Sequence, residues 1–489
     1  MAFSVAAQSV RVQHLVSRWG FAILLGVFLL AVGGVYTLYR QHHIGACDFY
    51  GYYQQSKLLR HGKVFLPVEQ DVRSYPALVP LGYRAAGDRA VPAFPPGLPL
   101  LLALGGSVGL QFFVLPLLGV VSCVYVYLLC REHCGRWSAA LLTANWALLP
   151  LVVYGSTHIM TDLAAAWSIM ASFYHYRRRQ LPISAALMGL GFMIRPSNAL
   201  AMLAFTPLLL HDRQLWRFSC WLALPVSLHA LYNTLVFGRP WRTGYGHIGG
   251  AFSSEVFGPQ FSFYCQQTLL QVGPLLLLLA LLGLRRPSWE KATWIGWFLT
   301  FFVAYSFWRS GHDRWWWTRY LLPGYGALFV LAACGLAELQ SSARTLAVWA
   351  WRAAAVLLAL TPIYYVHFGL EQRDLWIRDR AHEYFDLTQE VARLVPPGSY
   401  VGSVEFSGAF RLYSPGIVSF LSTHANAPAV VKKALEDGHS AYLVIEPPNR
   451  GNKTIQRLLR KYDAQQIAEL PLIWPSLPVY QLQPKVANR

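Results

Sequence analysis

Acidic side chains are scarce in this chain: 23 Asp and Glu among 489 residues, against 41 Lys and Arg. The first 369 residues hold 11 acidic and 27 basic side chains, and the last 120 hold 12 and 14. The net charge of +18 therefore sits almost wholly in the first part. Charged residues make up only 13% of the chain, about half the usual share of a soluble domain, and mean hydropathy is +0.35. That excludes a soluble globular protein. Excess base spread through loops between apolar runs fits membrane topology and anionic lipid, and excludes the basic stripe of a nucleic-acid reader. The chain has seven cysteines and none after residue 334, so the last part folds without disulfides. Cys130 and Cys134 are followed by no second pair at zinc-finger spacing and read as small packing residues. A Walker loop, a dinucleotide fingerprint, internal repeats and low-complexity segments are all missing, so direct use of ATP or NAD is not indicated.

What the chain has in quantity is long apolar runs. A span needs about 20 apolar residues, fewer for a short helix buried in a bundle. Eleven passes are expected near 20–39, 108–130, 137–157, 161–176, 183–195, 196–210, 218–237, 267–284, 292–308, 320–340 and 345–367. The fifth and sixth meet at Arg195-Pro196, where proline and a charge break the run as they do in helices lining a cavity. Short basic loops at Arg131 to Arg136, Arg177 to Arg179, Arg213 to Arg217 and Arg285 to Lys291 fall on one side, with Arg11 and Arg18. That side is expected to be cytoplasmic. The first apolar stretch reads as a retained span, since no clear small-residue cleavage site follows it. The other side receives a long loop (40–107), a loop near 238–265, a short loop at 309–319 and the tail from 370. In the tail, "DLWIRDRAHEYFDLTQEVARLV" and "APAVVKKALEDG" have helical periodicity, while "SYVGSVEF" and "SAYLVIEPP" read as strands. The expected fold class is an α-helical polytopic membrane domain (1–369) followed by an extracytoplasmic α/β domain (370–489).

Asp48, Glu69, Asp71, Asp88, Asp162, Glu255 and Asp313 are the membrane-part acids expected on that second side. Asp48 and Asp162 adjoin apolar helices. Each could cap a helix, accepting free backbone N–H groups at the positive end of the dipole. A carboxylate at the hydrocarbon boundary is costly unless it meets water or a partner, which makes both candidates for chemistry. Tyr52 and Gln55 share a helical face with Asp48, an arrangement suited to sugar, whereas Phe49, Tyr53 and Leu59 read as interfacial anchors. The stretches "YNTLVFGRPWRTGYG" and "WRSGHDRWWWTRYLLPGYG" gather arginines among aromatic residues. An aromatic belt explains the tryptophans. A phosphate at the boundary explains the arginines, because guanidinium binds it in bidentate fashion. His158 and Asp162 stand four apart, and His42 and His43 lie near Asp48, but no zinc spacing occurs. No metal or cofactor is assigned. A divalent ion would require distant acids to converge.

The order of motifs is informative. Asp48 with "YYQQSKLLRHGKVF", then "FPPGLPLLLAL", "TDLAAAW", "GLGFMIRPSNAL", "YNTLVFGRPWRTGYG" and "RYLLP" resembles the GT-C superfamily of polyprenyl-phosphate-sugar-dependent glycosyltransferases. The protein O-mannosyltransferase and aminoarabinose transferase group is the most similar, over residues 1 to about 370. The resemblance implies an inverting membrane transferase that moves a sugar from a polyprenyl-phosphate carrier to a lipid, glycan or protein acceptor. The site is expected on the periplasmic, extracytoplasmic face of a cell inner membrane. It implies Asp48 as catalytic carboxylate and Asp162 as the second acid. Tyr52, Arg195, Arg242, Tyr245, Arg319 and Tyr320 are the implied substrate-binding residues. Phe49 stands where protein O-mannosyltransferases carry the second acid of an Asp-Glu pair. "WWWTR" has threonine where oligosaccharyltransferases carry the acid of Trp-Trp-Asp. The sequon Asn452-Lys453-Thr454 permits an endoplasmic reticulum setting, but a tail free of cysteine favours a bacterial one. A secondary transporter or lipid flippase is the alternative, without the symmetry between halves that such proteins show.

Overall fold

The computed structural model describes residues 2–68, 71–246, 248–309, 311–342, 345–372, 377–471 and 476–485, with side chains from Trp19 onward and not at 248 or 377–380. Glu69, residues 374–376 of the expected tail helix, and the side chains of Arg11 and Arg18 lie outside the described residues.

All eleven expected spans fall on helices. The first is α1 (Ala2–Leu38). The long loop after it carries α2 (Cys47–Arg60), the hairpin β1 (Tyr83–Ala86) and β2 (Arg89–Pro92), and α3 (Gly97–Ser107). Then come α4 (Val114–Arg131), α5 (Arg136–Leu148), α6 (Pro150–Thr157), α7 (Thr161–Arg177), α8 (Leu181–Ile194), α9 (Ala199–His211) and α10 (Leu215–Phe237). The bundle ends with α11 (Phe257–Gln271), α12 (Pro274–Gly283), α13 (Trp289–Ser306), α14 (Leu322–Ser341) and α15 (Thr345–Glu371). Among the described residues five helices are long and apolar enough to cross a membrane alone, and seven if each bent pair is one span. The expected eleven thus include helices too short or too polar to meet that measure singly. The bent pairs are α5–α6, turned by 59° at Pro150, and α11–α12, turned by 99° at Gly273-Pro274. Proline lacks the N–H that would carry a helix through.

Helix α14 is enclosed along nearly its whole length, packing Tyr325 and Phe329 against α4, α7, α12 and α13. Helices α1, α10 and α15 are peripheral and expose large apolar side chains such as Leu30, Trp216 and Leu346. An exposed apolar belt of this size is stable only against lipid. Pro196 ends α8 by forcing Arg195 out of helical geometry (φ −150°, ψ 107°), and a single 3₁₀ turn leads into α9.

The tail is an α/β unit. Its order is α16 (Ile377–Leu394), β3 (Tyr400–Ser403), α17 (Ser407–Tyr413), β4 (Val418–Leu421), α18 (Ala427–Glu436), β5 (Ala441–Val444), α19 (Lys453–Lys461), β6 (Asp463–Leu470) and β7 (Leu477–Gln483). The five-stranded sheet runs β4-β3-β5-β7-β6, with β3 parallel to both neighbours and β7 antiparallel to both of its own. Asn452, the sequon residue, accepts backbone N–H bonds from Thr454 and Ile455 and so caps α19. Helix α17 brings this unit onto α2, the helix that carries Asp48.

Candidate active site

A cavity of about 360 Å³ opens between α2, the break before α7, the α8–α9 break and the turn entering α14. Asp48, Tyr52, Asp162, Arg195, Tyr245, Arg319 and Tyr320, seven of the eight residues chosen from sequence, line it together. They come from five separated stretches of chain.

Neither aspartate acts as a helix cap through its side chain. The N-cap of α2 is Ala46 and that of α7 is Met160, and neither cap position makes a side-chain bond. Both carboxylates instead lie in the first turn of their helices, where the dipole favours negative charge, and both turn toward arginine. Arg195 Nη1 contacts Asp162 Oδ1. Arg319 reaches both acids, with Nη2 3.6 Å from Asp48 Oδ2 and Nε 4.0 Å from Asp162 Oδ2. The Asp162 side chain is 4% exposed and that of Asp48 37%. Asp162 is thus held by two guanidinium groups, while Asp48 keeps one guanidinium partner, a weak bond from the Cys47 thiol at 3.7 Å and an open side.

Aromatic rings hold the arginines. Arg195 lies over Tyr305 and Tyr320, at 5.4 and 4.9 Å from the ring centroids, and those rings stack on each other at 5.1 Å. Arg319 lies over Trp317 and Tyr320 and donates a hydrogen bond to the Tyr154 phenol. Tyr305 donates to Ser197 Oγ at 2.7 Å, fixing the ring. Such stacking leaves guanidinium edges available to an anion while its faces are satisfied. On the other wall, Thr161, Tyr52 and Tyr245 form a hydrogen-bonded chain, and burial pushes the Tyr52 and Tyr245 phenols up, so both remain protonated donors. Phe94, next to the Pro-Pro start of α3, packs on Tyr52 at 4.4 Å between ring centroids.

Several expectations are placed differently. Arg242 is exposed and does not line the cavity. The backbone of Gly244 lies so close to the carbonyls of Pro92 and Ala93 that a Cβ would come within 2.3 Å of one oxygen, and this contact steers Tyr245 inward while Arg242 stays outside. Gln55 is buried and donates to the Tyr232 hydroxyl at 2.8 Å, not to the cavity. Phe49 and Tyr53 pack against the protein interior rather than serving as membrane anchors. His158 and Asp162 are separated by the α6–α7 break and share no helix face. Among the described residues no group of three His, Cys, Asp or Glu side chains is arranged to hold a metal ion.

Residues 95–237 match the family model described as dolichyl-phosphate-mannose-protein mannosyltransferase. A search of curated proteins finds no relative. Among solved structures, ArnT from Cupriavidus metallidurans in the apo state superposes with a TM-score of 0.57 at 14% identity, covering 95% of this chain and 98% of that one. The chain shares the fold of ArnT. ArnT bound to undecaprenyl phosphate matches at 0.56 and 14% identity, covering 96% of this chain and 98% of that one. The apo oligosaccharyltransferase of Archaeoglobus fulgidus matches at 0.53, also at 14% identity, covering 86% and 69%. The family-model match runs from the FPPG turn through α10, and so contains Asp162 and Arg195 but not Asp48 or Arg319.

Sequence reasoning missed Phe94, Tyr305 and Trp308 in the wall and Glu405 beside Asp48. Phe94 was within reach, since it opens the FPPG motif. Tyr305 sits near the end of an apolar span with no charged neighbour beside it to mark it, and Glu405 lies 357 positions from Asp48.

Proposed function

We propose that this protein is an inverting glycosyltransferase that moves a sugar from a polyprenyl-phosphate carrier to an acceptor hydroxyl or amine at the extracytoplasmic face of a bacterial inner membrane. The observation that carries the reading is Arg319 spanning two carboxylates of unequal exposure inside one aromatic-walled cavity. Convergence of acids and arginines at one site supports a transferase over the transporter alternative, and the ArnT structure holding undecaprenyl phosphate supports a lipid phosphate as the leaving group.

A glycosyl phosphate leaves as an anion that needs no proton, so one carboxylate is enough for catalysis, unlike the acid and nucleophile pair of a glycosidase. Asp48 has the open side and takes the proton of the attacking hydroxyl or amine. The acceptor atom bonds to the anomeric carbon from the face opposite the phosphate, the C–O bond to phosphate breaks, and configuration inverts. Arg195 and Arg319 stabilise the charge building on the phosphate, each well-placed donor contributing about 3 to 4 kcal/mol to the transition state. Asp162 keeps both guanidinium groups in place. Tyr52 and Tyr245 supply hydroxyls to the sugar.

Asp48→Asn preserves shape and removes the base. Mass spectrometry of lipids and envelope glycans from cells with the wild-type chain, without it, and with Asp48→Asn should show one modification lost in the last two. Persistence of that modification in the Asp48→Asn cells sinks the assignment of the base.

A further inference from the structure

Asp48 and Tyr52 share the cavity face of α2. Tyr50 lies between them in sequence, about 200° round the helix axis from Asp48, and is buried on the opposite face. That face meets the tail. Gly408, in α17, lies so close to the Tyr50 ring that a Cβ on it would come within 2.3 Å of Tyr50 Cγ. Spinning the ring leaves Cγ in place, so relieving such a contact requires the side chain or its helix to move by about 1 Å. Two further contacts flank Asp48. Ile44 N–H, four residues before it, donates to the Tyr413 hydroxyl at 2.6 Å, and Tyr413 is itself held by α16, where Gln389 donates to its carbonyl at 2.8 Å. Leu81 N–H donates to Ser407 Oγ at 3.1 Å. The next residue, Gly82, has φ +96°, and a Cβ there would lie 3.0 Å from both Gly51 Cα and the Cys47 carbonyl oxygen. The turn before β1 is thus pinned between α17 and α2. The N-cap of α2, Ala46, makes no side-chain bond, so the start of the helix is placed by these neighbours and not by its own cap.

We propose that helix α17 of the tail sets the position of Asp48 by docking on the back of α2, with Gly408 and Tyr413 as positioning residues. The proposal rests on the transferase reading, and deepens it by giving the tail a task in the same reaction. A helix moves as a unit, so a shift of the Tyr50 face carries Asp48 with it. Arg195 and Arg319 sit on other elements, the α8–α9 break and the turn entering α14, and stay where they are. The docking therefore governs the distance from the base to the reacting centre, and a misplacement of about 1 Å there can cost about a hundredfold in rate. Gly408→Ala is a sharp probe of it. Alanine favours a helix over glycine by about 1 kcal/mol, so α17 itself gains and any loss comes through Tyr50.

The test uses the full chain in lipid nanodiscs, with undecaprenyl phosphate as the binding probe and lipid-linked donors extracted from host membranes for transfer. Gly408→Ala should lower kcat by about tenfold to a hundredfold, with undecaprenyl phosphate affinity within about twofold of wild type. In a Tyr50→Ala background the same change should cost less than about twofold, because the opposing ring atoms are gone. Tyr413→Phe keeps the ring and removes the acceptor of the Ile44 N–H, so hydrogen exchange at Ile44 should speed by about threefold to tenfold and kcat should fall in the same range. A Gly408→Ala kcat within about twofold of wild type, an equal loss of affinity and kcat, or the same penalty in the Tyr50→Ala background overturns the proposal. If Gly408→Ala or Tyr50→Ala does not fold, Tyr413→Phe decides, and an unchanged kcat overturns it. An active wild type with an inactive Asp48→Asn and an unaltered Gly408→Ala refutes the docking role and leaves the transferase reading standing. A wild type inactive with every donor refutes that reading, and the docking is then judged from hydrogen exchange over residues 44–52, which Gly408→Ala should speed and whose constancy overturns it.

Discussion

Replacing Asp162 by asparagine is the most exposed consequence of this geometry, because it removes one charge and almost no volume. Asp162 is 4% exposed and contacts Arg195 directly, with Arg319 Nε at 4.0 Å. At an effective dielectric of 20, a pair at 4 Å interacts by about 4 kcal/mol, part of which offsets the desolvation of both ions. Breaking a buried pair by removing one partner typically costs about 3 to 5 kcal/mol, since the other charge stays buried without compensation. Here the Arg195 and Arg319 side chains, 10% and 12% exposed, would lose their shared carboxylate, leaving Arg319 with Asp48. We expect Asp162→Asn to lower unfolding stability in mixed micelles by about 3 kcal/mol. The double variant Asp162→Asn/Arg195→Gln should recover a measurable part of that loss, because it removes the orphaned cation. Transfer should fall as well, since Arg195 and Arg319 lose the carboxylate that holds them in the cavity wall. A single variant within about 0.5 kcal/mol of wild type, the range of an ordinary surface change, would refute the reasoning. So would a double variant no more stable than the single.

The tail should be more stable in mild acid. Folding raises Glu405 from its ordinary 4.5 to about 7 and raises Glu446 in the same direction, so the folded state binds more protons than the unfolded one. The associated stability is fully present below about 4.5 and is lost as pH rises through about 7. Thermal unfolding of the full chain at pH 5 and pH 8 should show this drop, reduced in Glu405→Gln, and a higher midpoint at pH 8 contradicts it. Arg242→Ala should leave transfer and undecaprenyl phosphate binding within about twofold of wild type, since the side chain is exposed and outside the cavity. A tenfold loss in either assay would return Arg242 to the site.

The residues most legible in sequence were those whose chemistry conflicts with their surroundings. Asp48 and Asp162 stood out because a carboxylate beside an apolar helix needs a reason. Arg195 stood out because Arg-Pro interrupts an apolar run, and the structure puts that break on the cavity wall. Tyr305 was silent, since an aromatic residue in an apolar span looks the same whether it packs on a helix or on a guanidinium group. Arg242 misled because local composition cannot say whether a loop arginine turns inward; Arg239 and Arg242 are both exposed, and Tyr245 is the residue after them that lines the cavity.

The sequence by itself determined the solvent, the helical elements and the α/β character of the tail, because hydropathy and periodicity are summed over many neighbouring residues. It also placed a lone base at the start of a loop helix. Only the tertiary structure decided that Asp162 is enclosed between two arginines while Asp48 keeps an open side, and that helix α17, from the far end of the chain, packs on the Asp48 helix. Those contacts join parts of the chain at least 33 residues apart. Their energies depend on distance and burial, which no local pattern in the chain encodes.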